Sequence, residues 1–166
     1  MSDHAPKDCP FDQDQVGAST IVESSGYAVI TNIAPILPGH SLVIPKRHVA
    51  SLLDLADDEV ADLFVFARYV TQMLTTVFDA DGFNWSLQDG TPAGQSVGHL
   101  HVHLIPRYDG DLPRPGDWYP RLQKEIVDSS GDIDSDQRPR FSEGELRDVT
   151  AAIRERAEML GVVPEP

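Results

Sequence analysis

Cysteine occurs once, at Cys9, and lysine three times in a chain of 166 residues. A single cysteine excludes an internal disulfide framework and suits a reducing compartment, so a cytoplasmic setting is expected. No apolar run approaches the ~20 residues needed to span a bilayer, and no apolar segment follows a basic N-terminus, so neither a membrane partner nor a secretory leader is expected. Positive charge is scarce: 13 basic against 27 acidic residues leave a formal net charge of -14. Non-specific nucleic-acid binding draws its affinity from phosphate neutralisation, so this balance argues against a nucleic-acid partner. An acidic, lysine-poor surface also fits the pattern of salt-adapted proteins. The 40% hydrophobic and 24% charged content is ordinary for a soluble globular protein, and the length suits one domain.

Histidine, by contrast, is concentrated. Three of the six histidines fall in His99-Leu100-His101-Val102-His103-Leu104. Strict alternation is the period of a strand, so the spacing predicts three imidazoles on one face and aliphatics on the other, one face packing and the other free for chemistry. The outer two Cα atoms of such a strand lie roughly 13 Å apart, too far for one ion to hold all three rings. Two neighbouring rings sharing an ion with a third ligand, solvent-facing histidines, and a nucleophilic histidine with two supporting ones are the remaining readings. Closely spaced imidazoles resist becoming cations together, which keeps a middle ring neutral with a free lone pair. The preceding loop, Asp89 to Val97, contains Gly90 and Gly94 and can bring backbone N–H groups close to phosphate oxygens beside His101.

Along the rest of the chain, residues 1–19 lack periodicity and read as a loosely attached arm. Thr20–Glu23 and Tyr27–Asn32, separated by Ser24-Ser25-Gly26, read as a hairpin, and Ser41–Ile44 as another strand. From Asp57 or Asp58 to Phe78 apolar residues recur at three and four, which predicts an amphipathic helix of about five or six turns. Phe83–Gln88 alternates like a strand. Residues 108–120 are dense in Gly, Pro and Asp, with Trp118 and Tyr119 placed to cover a base or a dimer partner, or to pin the loop to the core. Residues 128–140 read as an acidic flexible linker, and Ser142 with Glu145 as a capping box opening a final helix along Leu146, Val149, Ile153, Ala157 and Leu160.

His99-Leu100-His101-Val102-His103-Leu104-Ile105 resembles the histidine-triad pattern at every position. The likeness extends to Leu87-Gln88-Asp89-Gly90, Ala93-Gly94-Gln95-Ser96-Val97 and Pro106-Arg107, which are similar to the fragile-histidine-triad branch, hydrolases of dinucleoside polyphosphates. Asn32-Ile33-Ala34-Pro35-Ile36-Leu37-Pro38-Gly39-His40 and Val43-Ile44-Pro45-Lys46-Arg47-His48 resemble the family's entry segment. The likeness covers about residues 20–121 and fades beyond, leaving 122–166 as linker and C-terminal helix, packed on the domain or on a second subunit. It implies an α+β fold, with an antiparallel sheet of about five strands, the long helix across one face, and a homodimer.

The resemblance also implies roles. His101 would attack the α-phosphorus of a small-molecule nucleotide substrate to give a nucleotidyl-histidine, His103 would bond a phosphate oxygen or the leaving group, and His99 would order the shell. Asn32 would hold the ribose and His40 would support the triad, with an ordinary turn as the alternative for each. Gln88 and the amides of Gly94, Gln95, Ser96 and Val97 would stabilise charge on phosphate oxygens, and Arg107 is either a phosphate contact or a structural ion pair. No cofactor is required. Some bacterial members carry Cys-x-x-Cys where Cys9-Pro10-Phe11-Asp12 stands, so a zinc site of Cys9, Asp12, His48 and His99 is the alternative to an arm with a free thiol. Competing functions are a nucleoside phosphoramidase or nucleotidyl transferase, and a nucleotide-binding regulatory protein without turnover. Ile105-Pro106-Arg107, where the phosphoramidase branch has Gly-Gly-Arg, ranks the hydrolase first.

Overall fold

The structure, a computed structural model, describes residues 9–119 and 138–164. Alternating apolar residues build five strands: β1 (Thr20–Glu23), β2 (Tyr27–Thr31), β3 (Ser41–Pro45), β4 (Gly82–Leu87) and β5 (Val102–Arg107). They form one antiparallel sheet in the order β1-β2-β3-β5-β4. The last strand among the described residues therefore lies inside the sheet, between β3 and β4, and carries the end of the histidine segment into the interior.

Each strand sends successive side chains to opposite faces. Tyr27, Val29, Val43, Val102 and Leu104 pack with the buried stripe of α2 (Asp57–Phe78), in which Leu63, Ala67, Val70 and Leu74 repeat at helical spacing. Ala28, Ile30, Leu42 and Ile44 face the other way and pack with Val16 of the short helix α1 (Gln13–Val16) and with Phe11. Leu42 pairs with His103, so the imidazole face is this second one. The helix α2 ends at Asp79, whose left-handed backbone (φ 52°) returns its N–H to the carbonyls of Thr75 and Thr76. The C-terminal helix α3 (Glu143–Leu160) opens on the expected box: Ser142 Oγ accepts from the Glu145 N–H, and Glu145 Oε2 accepts from the Ser142 N–H at 2.8 Å. It packs on α2, β1 and β2, burying Ile153 and Ala157 and bonding Thr150 Oγ1 to Thr31 Oγ1 at 2.7 Å. Leu160, at the end of its apolar stripe, is exposed.

Three expectations need correcting. The strand expected from His99 begins at Val102, because the Leu100 N–H bonds the Val49 carbonyl (2.6 Å) and the His99 N–H turns back to Val97 (2.7 Å) instead of joining a ladder. Both faces of this segment are buried, so no imidazole faces open solvent. Residues 9–19, expected as part of a loose arm, pack on the sheet, with Cys9 and Val16 buried, because the second sheet face has apolar side chains to cover. Trp118 packs with Ile36 and Ile105 and so pins the Pro-rich loop. Residues 1–8 and the linker reading over 128–137 lie outside the described residues, while Arg138–Arg140 are described.

Candidate active site

The turn before β3 brings the first polar group inward. Gly39 has φ +81°, and a Cβ there would lie 2.7 Å from the Phe78 ring, so only glycine lets the chain pass and deliver His40 beneath the sheet. The Ile36 N–H donates to His40 Nδ1 (3.1 Å), which places the His40 proton on Nε2. That N–H lies 2.9 Å from His103 Nδ1 and donates to it, leaving the His103 proton on Nε2. His101 is set separately: its Nδ1 lies 2.7 Å from the His99 carbonyl, and since a carbonyl only accepts, Nδ1 bears the proton and Nε2 keeps its lone pair. The His101 and His103 ring centroids are 5.1 Å apart.

Burial determines the charge of these rings. His40, His101 and His103 are 1%, 4% and 6% exposed. Desolvation is the leading cause that holds each below the ordinary histidine range: His40 at about 3, His103 well below its usual value and His101 below it. The neighbouring imidazoles and the Arg138 guanidinium add to the effect at His40 and His103. Neutral imidazoles with assigned tautomers follow, one offering a lone pair and the next an N–H.

A cavity of about 260 Å³ opens over His101 and His103, with Phe11, Ile30, Arg138 and Arg140 in its walls. Among the predicted site residues, Asn32, Ser96 and Val97 also line it. Asn32 Oδ1 accepts from the Ala34 N–H (2.8 Å), so this residue closes a turn and faces the cavity at once. A roomier cleft of about 590 Å³ beside Tyr27, Lys46 and Glu59 contains none of the triad.

Other predicted residues are engaged elsewhere. The Gly94 N–H bonds Thr91 O and the Gln95 N–H bonds Gly90 O. The Gln95 amide clasps Gly90 N (2.7 Å) and Ala50 O (2.8 Å). These two residues therefore shape the loop, while Ser96 and Val97, whose N–H groups have no backbone acceptor among the described residues, line the cavity. Gln88 Nε2 donates to Ser86 Oγ at 2.6 Å. Arg107 is a structural ion pair: both Asp111 carboxylate oxygens lie at 2.7 Å and Asn84 Oδ1 at 2.6 Å. Three lining residues went unnoticed in the sequence reading. Phe11 stands edge-on to both His99 and His101, at 5.8 and 5.4 Å between centroids. Arg138 and Arg140 were absorbed into the linker, although a pair of arginines after an acidic stretch was a signal in so acidic a chain.

The His99 ring turns from the cavity toward a second cluster. Its Nε2–H donates to Pro45 O (2.9 Å), which leaves the Nδ1 lone pair 3.4 Å from Cys9 Sγ. Cys9, Asp12, His48 and His99 each offer a ligand atom, all within 4.8 Å of one another. The buried His48 Nδ1 has no hydrogen-bond partner. Thiolate, two imidazoles and a carboxylate are a zinc-type donor set, and the N–H to carbonyl bond of His99 is the outer support such ligands use. The residues fit a metal ion.

The fold and the row of three histidines are those of the histidine-triad class, and comparison with known proteins agrees. The model of the HIT domain matches residues 13–110, and the chain belongs to that family. It is 43% identical over 119 residues to "Bis(5'-nucleosyl)-tetraphosphatase [asymmetrical]" of Schizosaccharomyces pombe, covering 72% of this chain and 65% of that relative. It is 37% identical over 118 residues to "Bis(5'-adenosyl)-triphosphatase" of Dictyostelium discoideum, covering 69% and 79%. A zinc-bound histidine triad family protein of Mycobacterium smegmatis superposes with a TM-score of 0.64 at 25% identity, covering 89% of each chain.

The buried histidines make stability depend on pH. Their folded values lie below 6.5, so the unfolded chain takes up protons first as the pH falls. Stability should be full above about pH 6.5 and decline below it, by up to ~1.4 kcal/mol per pH unit for each histidine. Thermal midpoints recorded between pH 8 and 5 are expected to hold down to about 6.5 and then fall; a midpoint that rises on acidification contradicts the neutral assignment.

Proposed function

We propose that this protein hydrolyses dinucleoside polyphosphates through a nucleotidyl intermediate on His101. The observation that carries the reading is the 2.7 Å bond from His101 Nδ1–H to the His99 carbonyl, which leaves Nε2 as a lone-pair donor in a buried, uncharged ring. In the first stage Nε2 forms a bond to the α-phosphorus, and the P–O bond to the departing nucleotide breaks with its electron pair. His103, with its proton on Nε2, hydrogen-bonds the departing oxygen. The Ser96 and Val97 amides bond non-bridging oxygens, each well-placed donor contributing roughly 3 kcal/mol. In the second stage water attacks phosphorus and gives up a proton to solvent, the N–P bond breaks, and a nucleoside monophosphate leaves while Nε2 recovers its lone pair. The names carried by the fission-yeast and Dictyostelium relatives support this substrate class. Rapid quench with diadenosine tetraphosphate followed by peptide mass spectrometry is expected to find the adduct on His101, and His101→Gly to lose about a thousandfold or more in kcat. An adduct on another residue, or turnover by that variant at the parent rate, rejects the mechanism.

A homodimer is part of the proposal. The strand β4 is a sheet edge, Phe83 on it is 52% exposed, and Trp85 beside it stacks on Phe64, which together offer an apolar face for a second copy. Sedimentation equilibrium is expected to give twice the 18.3 kDa chain mass and Phe83→Asp to weaken association. A monomer at every concentration rules the dimer out.

Zinc held by Cys9, Asp12, His48 and His99 is also proposed, supported by the lone His48 nitrogen and the zinc-bound M. smegmatis homologue. Such an ion would tie the N-terminal segment to the sheet and take no part in phosphoryl transfer. The purified chain should retain about one equivalent of zinc, lost in Cys9→Ser, with a lower thermal midpoint after chelation. Metal-free protein with an unchanged midpoint after zinc addition counts against it.

A further inference from the structure

A net charge of -14 opposes any anionic substrate. A local cation beside the Ser96 and Val97 amides therefore favours binding of a phosphate. Eight of the ten described basic residues lie outside the cavity of His101 and His103. The described cations that line the cavity of His101 and His103 are Arg138 and Arg140. Their placement is built. The Phe141 N–H donates to Ile33 O (2.9 Å), the Ser142 box starts α3 one residue later, and Leu146 from its first turns joins the cavity wall. Thr150 then fastens the helix to Thr31 on β2. The C-terminal segment thus holds two guanidinium groups beside Asn32 and Ile33 at the mouth of the triad. The depression of the His40 and His103 pKa values by Arg138 agrees with a cation in electrostatic reach of the reacting rings.

We propose that Arg138, with Arg140 at the more exposed rim, is the phosphate-binding cation of this site, taking the non-bridging oxygens of the phosphate that His101 attacks. A guanidinium presents two parallel N–H donors that match two phosphate oxygens, and in a half-buried cavity that bond is weakly screened by salt. The residue would bind the phosphate in the substrate and in the product, and hold its charge as the leaving nucleotide departs. This assignment rests on the reading that the cavity takes a nucleotide. It gives the C-terminal helix a task in substrate recognition, as the anchor that positions the arginines.

The test compares ligands that differ by the phosphate alone. Calorimetric titration of the full chain with adenosine 5′-monophosphate and with adenosine is expected to show monophosphate affinity falling 10- to 100-fold in Arg138→Gln. Adenosine affinity should stay within twofold, part of the loss should be recovered in Arg138→Lys, and Arg140→Gln should show a smaller loss. The kcat/KM for diadenosine tetraphosphate should fall in the same order. Wild-type affinity for the monophosphate in Arg138→Gln overturns the proposal. So does an equal loss for both ligands without rescue by lysine, the mark of a structural role, or a wild-type chain that binds the monophosphate no better than adenosine. Should the glutamine variant fail to fold, the lysine and Arg140 variants decide: monophosphate affinity at the wild-type value in both overturns it. If monophosphate binding depends on Arg138 but no polyphosphate is hydrolysed, the hydrolase reading fails and the arginine stands. If hydrolysis proceeds on His101 and is indifferent to Arg138, the reverse holds.

Discussion

The bond from His101 Nδ1–H to the His99 carbonyl is the contact on which the proposed chemistry depends. It lies within three consecutive residues, yet it has directing force only because the ring is excluded from water. In solvent the same imidazole would exchange tautomers and titrate near its ordinary value. Exclusion comes from the position of β5 in the interior of the sheet and from the cover that residues 9–19 place over the histidine face.

His99 connects two regions that would otherwise be independent. Its carbonyl holds His101, its Nε2–H is held by Pro45, and its Nδ1 faces Cys9 in the Cys9, Asp12, His48 cluster. Phe11, between two members of that cluster in sequence, reaches across to touch the rings of both His99 and His101. Whatever orders the N-terminal segment therefore also sets the wall beside His101. The physical reason is close packing: a half-buried aromatic edge against two buried rings leaves little room for any of them to move alone.

Charge in this protein works on two scales. The chain is acidic overall, while the site combines neutral imidazoles, backbone N–H groups from Ser96 and Val97, and guanidinium groups from Arg138 and Arg140. Interactions across a half-buried cavity are screened far less than those between exposed charges, so the local set decides which ligand is tolerated. Arg107 illustrates the opposite case. The sequence left it either a phosphate contact or a structural ion pair, and a well-formed carboxylate partner four residues on makes it the second.

Several elements could be read without coordinates. The spacing of Leu63, Ala67, Val70 and Leu74 marked the helix, the Ser142 and Glu145 pair marked the start of the last one, and the alternation around His101 put His101 and His103 on a common side. These are local properties, set by 3.6- and 2-residue periods and by caps that bond within a turn. What the fold alone decided is long-range: that His40 would lie under His103, that the Gln95 amide would close on Ala50, that an apparent arm would cover the histidine face, and that arginines 35 residues past the triad would return to it. Such contacts depend on which surfaces remain to be buried once the sheet has formed, and that is a property of the whole packed chain that no local pattern encodes.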